Sequence, residues 1–179
     1  MEENTAGSPD FCIRRADAAD VFLLQTLGSQ TFTETFAPHN SVENLKEYLL
    51  RAFDQRKLEL ELSDIYSEIY FLEQKNIALG YLKINFGASQ TELQDETAME
   101  IERIYVLEAQ HRKNIGQKLL NHAIAIAKQN NKRYIWLGVW QHNHKAVHFY
   151  KKNGFITFDT HIFKMGDDEQ TDWLMRRDL

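Results

Sequence analysis

Between Met99 and Phe155 the chain carries the residues best suited to chemistry. The segment reads MEIERIYVL, EAQHRKNIGQKLL, then YIWLGVW and NHKAVHFYKKNGF. Arg112 and Lys113 stand in a basic loop that opens directly into a helical pattern, with Ile115, Leu119, Leu120, Ala123, Ile124 and Ala127 recurring on one face. A helix start offers free backbone N–H groups and the positive end of the macrodipole, so this loop builds an anion site that suits a pyrophosphate. Gly116 has no Cβ and lets a ligand or a strand come close. The loop is also consistent with a solvated basic turn before an ordinary amphipathic helix. No GK[ST] follows, and no GxGxxG occurs, so it is neither a Walker loop nor a dinucleotide fingerprint.

Downstream, Tyr134–Trp140 is an almost continuous apolar run, as expected of a strand covered on both faces. Asn143 suits an N-cap, and Asn153-Gly154 is a helix C-terminal signal. One short helix therefore carries Asn143 at its mouth and Tyr150 two turns down on the same face. His142, His144 and His148 cluster at its start, but without an HExxH motif or a cysteine pair they read as surface histidines rather than metal ligands. Trp136 and Trp140 read as core or cleft walls. Cys12 has no basic or histidine partner beside it and is expected to be buried in a strand.

The carboxylates are the other group with chemical potential. Glu34 lies in the first helix beside Phe32, Thr35 and Phe36. In an alternating strand Glu100, Glu102, Ile104 and Val106 share one face. Two carboxylates on a central face need partners, because buried charge is costly. Either one binds or deprotonates a substrate ammonium, or they form an ion pair with Arg103 or Arg112. Asp167, Asp168 and Glu169 read as an acidic, solvated turn.

The elements that position these residues form a single α+β unit. Phe11–Arg15 alternates as a first strand. Ala18 to Phe36 reads as a helix ended by Pro38, and Val42–Phe53 is amphipathic, with Leu58–Leu62 extending or following it. Tyr66–Glu73 and Ile77–Phe86 are two strands joined at Gln74-Lys75-Asn76, and Gly87–Thr97 is a polar loop. After the strand–helix–strand–helix core, Ile156–Met165 and Asp172–Arg177 form a closing antiparallel pair. The chain has 179 residues, 43% of them hydrophobic, enough for one domain with a sizeable core. Residues 1–9, acidic and polar, read as a mobile tail and not as a secretory signal. The single cysteine excludes an internal disulfide framework, and no apolar run reaches membrane-spanning length. A net charge of −5 argues against a nucleic-acid partner and favours a cationic one. A cytoplasmic protein is expected.

The core segment resembles the acetyl-CoA-binding core of the GNAT superfamily of N-acetyltransferases. The family's loop Q/R-x-x-G-x-G/A is matched by His111, Asn114 and Gly116, strictly only at the last. Histidine keeps a donor, and asparagine tolerates a positive φ better than other non-glycine residues. The pattern N-x-x-A-x-x-F-Y matches in full at Asn143, Ala146, Phe149 and Tyr150, and Lys152 begins a K-x-G-F stretch. Over roughly residues 11–179, TFTETF, IERIYVL, IWLGVW and MGDDEQTD look like the PaiA-type branch, which acetylates spermidine and spermine.

The resemblance implies one domain over residues 10–179, a mixed, mostly antiparallel sheet flanked by helices, and acetyl-CoA as co-substrate without a metal. It implies that the backbone of Ile104, Tyr105 and Val106 pairs with the pantetheine arm. His111, Arg112, Lys113, Asn114, Ile115, Gly116 and Gln117 would surround the pyrophosphate, with Asn143, Phe149 and Lys152 nearby. Tyr150 would serve the leaving sulfur; from the reading of the residues themselves, Glu102 and Glu34 are the candidates to serve the amine. Many relatives carry a glutamate where this chain has Gly138, so the general base is unassigned. The expected activity is acetyl transfer to a primary amine, a polyamine first. Acetylation of a protein N-terminus or lysine, and a non-catalytic acyl-CoA-binding module, are the alternatives. A homodimer is left open.

Overall fold

A computed structural model of the protein describes residues 11–166 and 168–179; the tail expected at residues 1–9 lies outside them. Seven strands form one sheet in the order β1-β2-β3-β4-β5-β7-β6. They are β1 (Phe11–Arg15), β2 (Ser67–Gln74), β3 (Ile77–Asn85), β4 (Ala98–Val106), β5 (Tyr134–Trp140), β6 (Ile156–Met165) and β7 (Asp168–Asp178). β4 and β5 pair in parallel, and every other neighbouring pair is antiparallel.

Among the described residues five α-helices cover the sheet: α1 (Val21–Phe36), α2 (Val42–Ala52), α3 (Gln55–Ser63), α4 (Ile115–Gln129) and α5 (His144–Lys152). One core cluster joins α4 and α5 to the sheet through Leu119, Leu120, Ala123, Val147 and Tyr150. A second joins α1, α2 and α3 to the opposite face through Leu24, Phe32, Leu45 and Leu58. The two helix groups therefore lie on opposite sides of the sheet.

Local chemistry explains the boundaries. The Ser41 hydroxyl accepts from the Asn44 N–H and starts α2; the Asp54 carboxylate accepts from the Lys57 N–H and starts α3, so Leu58–Leu62 belongs to a separate helix. α1 stops before Pro38, which sits in a short 3₁₀ turn. Lys75 (φ 51°) and Asn76 (φ 63°) turn the β2–β3 hairpin in the left-handed region, as two-residue hairpin loops require.

Two expectations are corrected. Cys12 is exposed, because its position on the edge strand β1 points away from the core. The last strand begins at Asp168, earlier than expected, so Asp168 and Glu169 are strand residues rather than a turn, and Glu169 pairs with Lys164 at 2.7 Å. Asp167 lies outside the described residues.

A third correction bears on the site. The β3–β4 register shifts between Lys83↔Arg103 and Ile84↔Ile101, leaving Glu102 as an extra residue on β4. This bulge breaks the alternation. Met99 and Ile101, then Ile104 and Val106, pack toward α4, whereas Tyr105 packs with the α1–α3 cluster. Glu102 and Glu100 thus do not share a face with Ile104 and Val106. The parallel β4–β5 ladder also covers only Ala98–Glu100 against Tyr134–Trp136. Beyond Glu100 the two strands part, and the sheet opens at its centre.

Candidate active site

The opening between β4 and β5 becomes a cavity of about 390 Å³. It reaches both sides of the sheet. Phe32, Phe36 and Tyr48 line it from α1 and α2, and Asn143, Ala146 and Tyr150 from α5. β4, β5 and β7 supply the walls between.

On the α4–α5 side, backbone dominates. In an antiparallel ladder alternate residues bond the neighbouring strand, so half of the amides and carbonyls of Ile104–Val106 face away from β3. With β5 splayed off, they face the cavity edge. The loop that follows is held by a short-range bond: His111 Nε2 donates to the Val106 carbonyl at 3.0 Å. Arg112 (φ 66°) and Asn114 (φ 60°) are both left-handed, and Asn114 directly precedes α4. The asparagine was expected to take that conformation; the arginine was not. The first N–H groups of α4, over Ile115, Gly116 and Gln117, have no partner inside the helix. A Cβ built on Gly116 would meet only Val106 Cγ2, at 4.0 Å. Nothing in the protein's own packing demands glycine here. Arg112 and Lys113 are exposed beside it. Gln117 Nε2 instead donates to Asn153 Oδ1 (2.8 Å) and Asn121 Oδ1 (2.9 Å), tying α4 to the end of α5.

α5 is built as expected. Asn143 Oδ1 accepts from the Ala146 N–H at 3.2 Å, and Gly154 (φ 83°) follows the helix end. Tyr150 is buried, packs edge-on against Phe149 and Phe155, and lines the cavity. Burial pushes its hydroxyl well above the usual phenol range, so it is a neutral O–H donor. Phe149 supports it from the core, while Lys152 is on the surface. His142, His144 and His148 do not form a metal-binding group; among the described residues no cluster of three or more His, Cys, Asp or Glu is placed to hold an ion.

On the α1–α3 side, charged side chains dominate. Lys83, only 5% exposed, bridges Glu102 (2.7 Å) and Glu61 (3.2 Å). Arg103 bridges the same two carboxylates at 3.0 and 2.8 Å. Asn85 Nδ2 donates to both Glu102 (2.6 Å) and Glu100 (2.9 Å). Burial raises the Glu102 carboxyl, but Arg103 and Lys83, with the bonds from Lys83 and Asn85, outweigh it and hold it at about 2. Glu102 is thus a fixed anion, ion-paired with Arg103 as one reading of the sequence had it, and a poor proton acceptor. The second cation, Lys83, was not singled out from the sequence; it shares a face of β3 with the buried Tyr81 and Asn85, two residues to either side. Glu100, 3% exposed, accepts from the Thr91 hydroxyl (2.5 Å) and N–H (2.9 Å), and burial pushes its carboxyl up.

Glu34 does not line the cavity. Its carboxylate accepts from the Glu108 N–H (2.8 Å) and from Gln30 (2.9 Å), fastening α1 to the loop before α4. Glu92, His161 and Asp172 also reach the cavity, the first two paired at 3.1 Å. None was singled out from the sequence as a site residue. Asp172 could have been, since it sits two residues before the buried Leu174 on one face of a strand.

Splayed parallel strands, a helix start with no side-chain cap and a buried tyrosine on the next helix are the arrangement expected of a site for a phosphorylated thioester. The family model described as acetyltransferase (GNAT) family matches residues 30–155. The chain belongs to that family and is an acetyl-CoA-dependent N-acetyltransferase. It is 35% identical over 153 residues to an uncharacterised N-acetyltransferase encoded in the pepI 3′ region of Lactobacillus delbrueckii subsp. lactis, covering 86% of this chain and 88% of the relative. The fold is similar to that of PaiA N-acetyltransferase from Thermoplasma acidophilum in complex with coenzyme A (TM-score 0.80, 22% identity, 95% of this chain and 99% of that one). It is also similar to that of the ribosomal-protein-S18-alanine N-acetyltransferase from Escherichia coli (TM-score 0.71, 13% identity, 94% of each chain). No helix among the described residues is long and apolar enough to cross a membrane.

Proposed function

We propose that the protein acetylates a primary amine of a linear polyamine such as spermidine or spermine, in the cytoplasm. The observation that carries this reading is the set of carboxylates at the α1–α3 end of the cavity: Glu92, Glu100, Glu102 and Asp172. Lys57, Lys83 and Arg103 are the cations there, and Lys83 and Arg103 are already engaged by Glu61 and Glu102. A polycation gains from several carboxylates at once where water screens them only in part. The similarity to the PaiA N-acetyltransferase fold supports the same branch.

In this reading Arg112, Lys113 and the N–H groups from Asn114 to Gln117 hold the pyrophosphate. The free edge of Ile104–Val106 aligns the pantetheine arm and the thioester carbonyl, which is the main contribution a direct transfer needs. Tyr150 donates its proton to the departing sulfur. Glu102 contributes charge rather than proton transfer, and Glu34 acts from a distance by holding the loop through Glu108.

The test is thiol release from acetyl-CoA against spermidine, spermine, an aminoglycoside and peptides with free N-termini or lysines. Polyamines are expected to give the highest kcat/KM, falling as salt rises. A clear preference for peptides, or no transfer to any amine, overturns the assignment.

A further inference from the structure

We propose that Asp172 is the catalytic carboxylate that takes the proton from the acceptor ammonium, a role that rests on the acetyl-transfer reading above. Asp172 lies on β7 between two neighbours in register, Trp140 on β5 and His161 on β6. All three line the cavity. Its carboxylate leans over bare backbone: a Cβ built on Gly138 would come within 3.8 Å of Asp172 Oδ2 and 3.7 Å of Leu174 Cδ2. The glycine thus leaves room for the carboxylate and for whatever meets it.

The decisive feature is what Asp172 does not touch. Its Oδ1 is buried and accepts no hydrogen bond from the protein. Buried acceptors nearly always have a partner, and an exception calls for a functional explanation. The other cavity carboxylates are committed: Glu102 to Lys83 and Arg103, Glu100 to Thr91 and Asn85, Glu92 to His161. Asp172 is the one with a buried oxygen left for a donor from outside, and an ammonium is that donor.

Its electrostatic setting suits the task. Burial raises the Asp172 carboxyl to about 6, with His161 pulling the other way. The groups facing the same cavity are His161 from β6, Glu92 from the 87–97 loop, Glu100, Glu102 and Arg103 from β4, and Lys57 from α3. A carboxylate near 6 is ionised at neutral pH yet holds a proton better than an ordinary aspartate.

The step balances as follows. The ammonium gives one proton to Asp172. The neutral nitrogen forms the C–N bond at the thioester carbonyl carbon, the C–S bond breaks, and the sulfur takes the Tyr150 proton. The nitrogen's second proton returns to Tyr150, and Asp172 releases its own to solvent.

The test is the pH dependence of kcat/KM for spermidine in the parent, Asp172→Asn and Asp172→Glu, with CoA affinity measured beside it. At pH 7 Asp172→Asn should lose about 100-fold or more, with CoA affinity within about twofold by the proposal. Its rate should then climb about tenfold per pH unit toward pH 9, as solvent deprotonates the amine. The parent's levelling-off near pH 6 should vanish, and Asp172→Glu should recover part of the rate. Should Asp172→Asn not fold, Asp172→Ser takes its place under the same criteria. An Asp172 variant that binds CoA and keeps the parent's pH profile overturns this assignment alone. A parent that acetylates no amine overturns the acetyl-transfer reading and this assignment with it.

Discussion

The two ends of the cavity are assembled in opposite ways. At the proposed cofactor end nearly everything comes from one continuous stretch, β4 through α5, and the groups on offer are backbone: a freed strand edge, two left-handed residues and a helix start. At the acceptor end the working groups are side chains on α3, β3, β4, β6 and β7, meeting across the sheet. A backbone site tolerates many side chains and recognises a constant ligand. A side-chain site can change its ligand by substitution while the sheet stays as it is. A fold that keeps one donor and varies its acceptor is expected to divide its labour in this manner.

Tyr150 lies where the two ends meet, and its substitution should have the largest effect. Tyr150→Phe removes the hydroxyl but keeps the ring packed against Phe149 and Phe155. Turnover should fall by about 100- to 10,000-fold, as for loss of a general acid, with CoA affinity nearly unchanged. Steady-state kinetics with chemistry shown to be rate-limiting is the check. An unchanged kcat would show that the sulfur leaves without help from this residue.

Gly116→Val probes the backbone end alone. The Cβ would meet only Val106 Cγ2, at 4.0 Å, and valine is a better helix former than glycine, so the melting temperature should hold. CoA affinity should nevertheless fall about tenfold or more, since a side chain would stand where helix N–H groups meet phosphate. Titration calorimetry beside a thermal melt separates the two. A variant that binds CoA as tightly as the parent would move the pyrophosphate away from this helix end.

The same division explains what could be read from the sequence. The proposed cofactor end is local, so its backbone structure could be read from spacing: β5 spans Tyr134–Trp140 as expected, Asn143 caps α5, and Asn114 is left-handed. The acceptor end is non-local, and its key feature is one extra residue in β4. A bulge leaves no periodic trace, because alternation carries on in the opposite phase beyond it. Hence Ile104 and Val106 were expected beside Glu100 and Glu102. Lys83 was overlooked as the buried partner of Glu102 because the pairing is made across two strands separated in sequence. Asp172 was hidden for a related reason. Its significance depends on Gly138 and His161, which approach only when β7 inserts between β5 and β6.

The smallest expected effect sharpens the contrast within the acceptor end, between the carboxylate that is paired and the one that is not. Glu102 is held at about 2, below its ordinary value. It therefore contributes stability above about pH 4.5 that is lost as pH falls toward 2. Asp172 is raised from 3.8 to about 6, so the folded state binds its proton more tightly than the unfolded chain does. That makes the ionised side chain a cost, absent below about pH 4, growing between 4 and 6, and constant above. Asp172→Asn should thus be more stable than the parent at pH 8 by about 1–2 kcal/mol, allowing for water in the cavity, and equal to it near pH 4. Glu102→Gln should be less stable at pH 8, with the gap closing in acid. Urea unfolding of the three proteins at pH 4, 6 and 8 reads both slopes at once. A parent and Asp172→Asn that differ by the same amount at every pH would mean that Asp172 has a partner in the folded protein, and the case for an oxygen held free for substrate would fall with it.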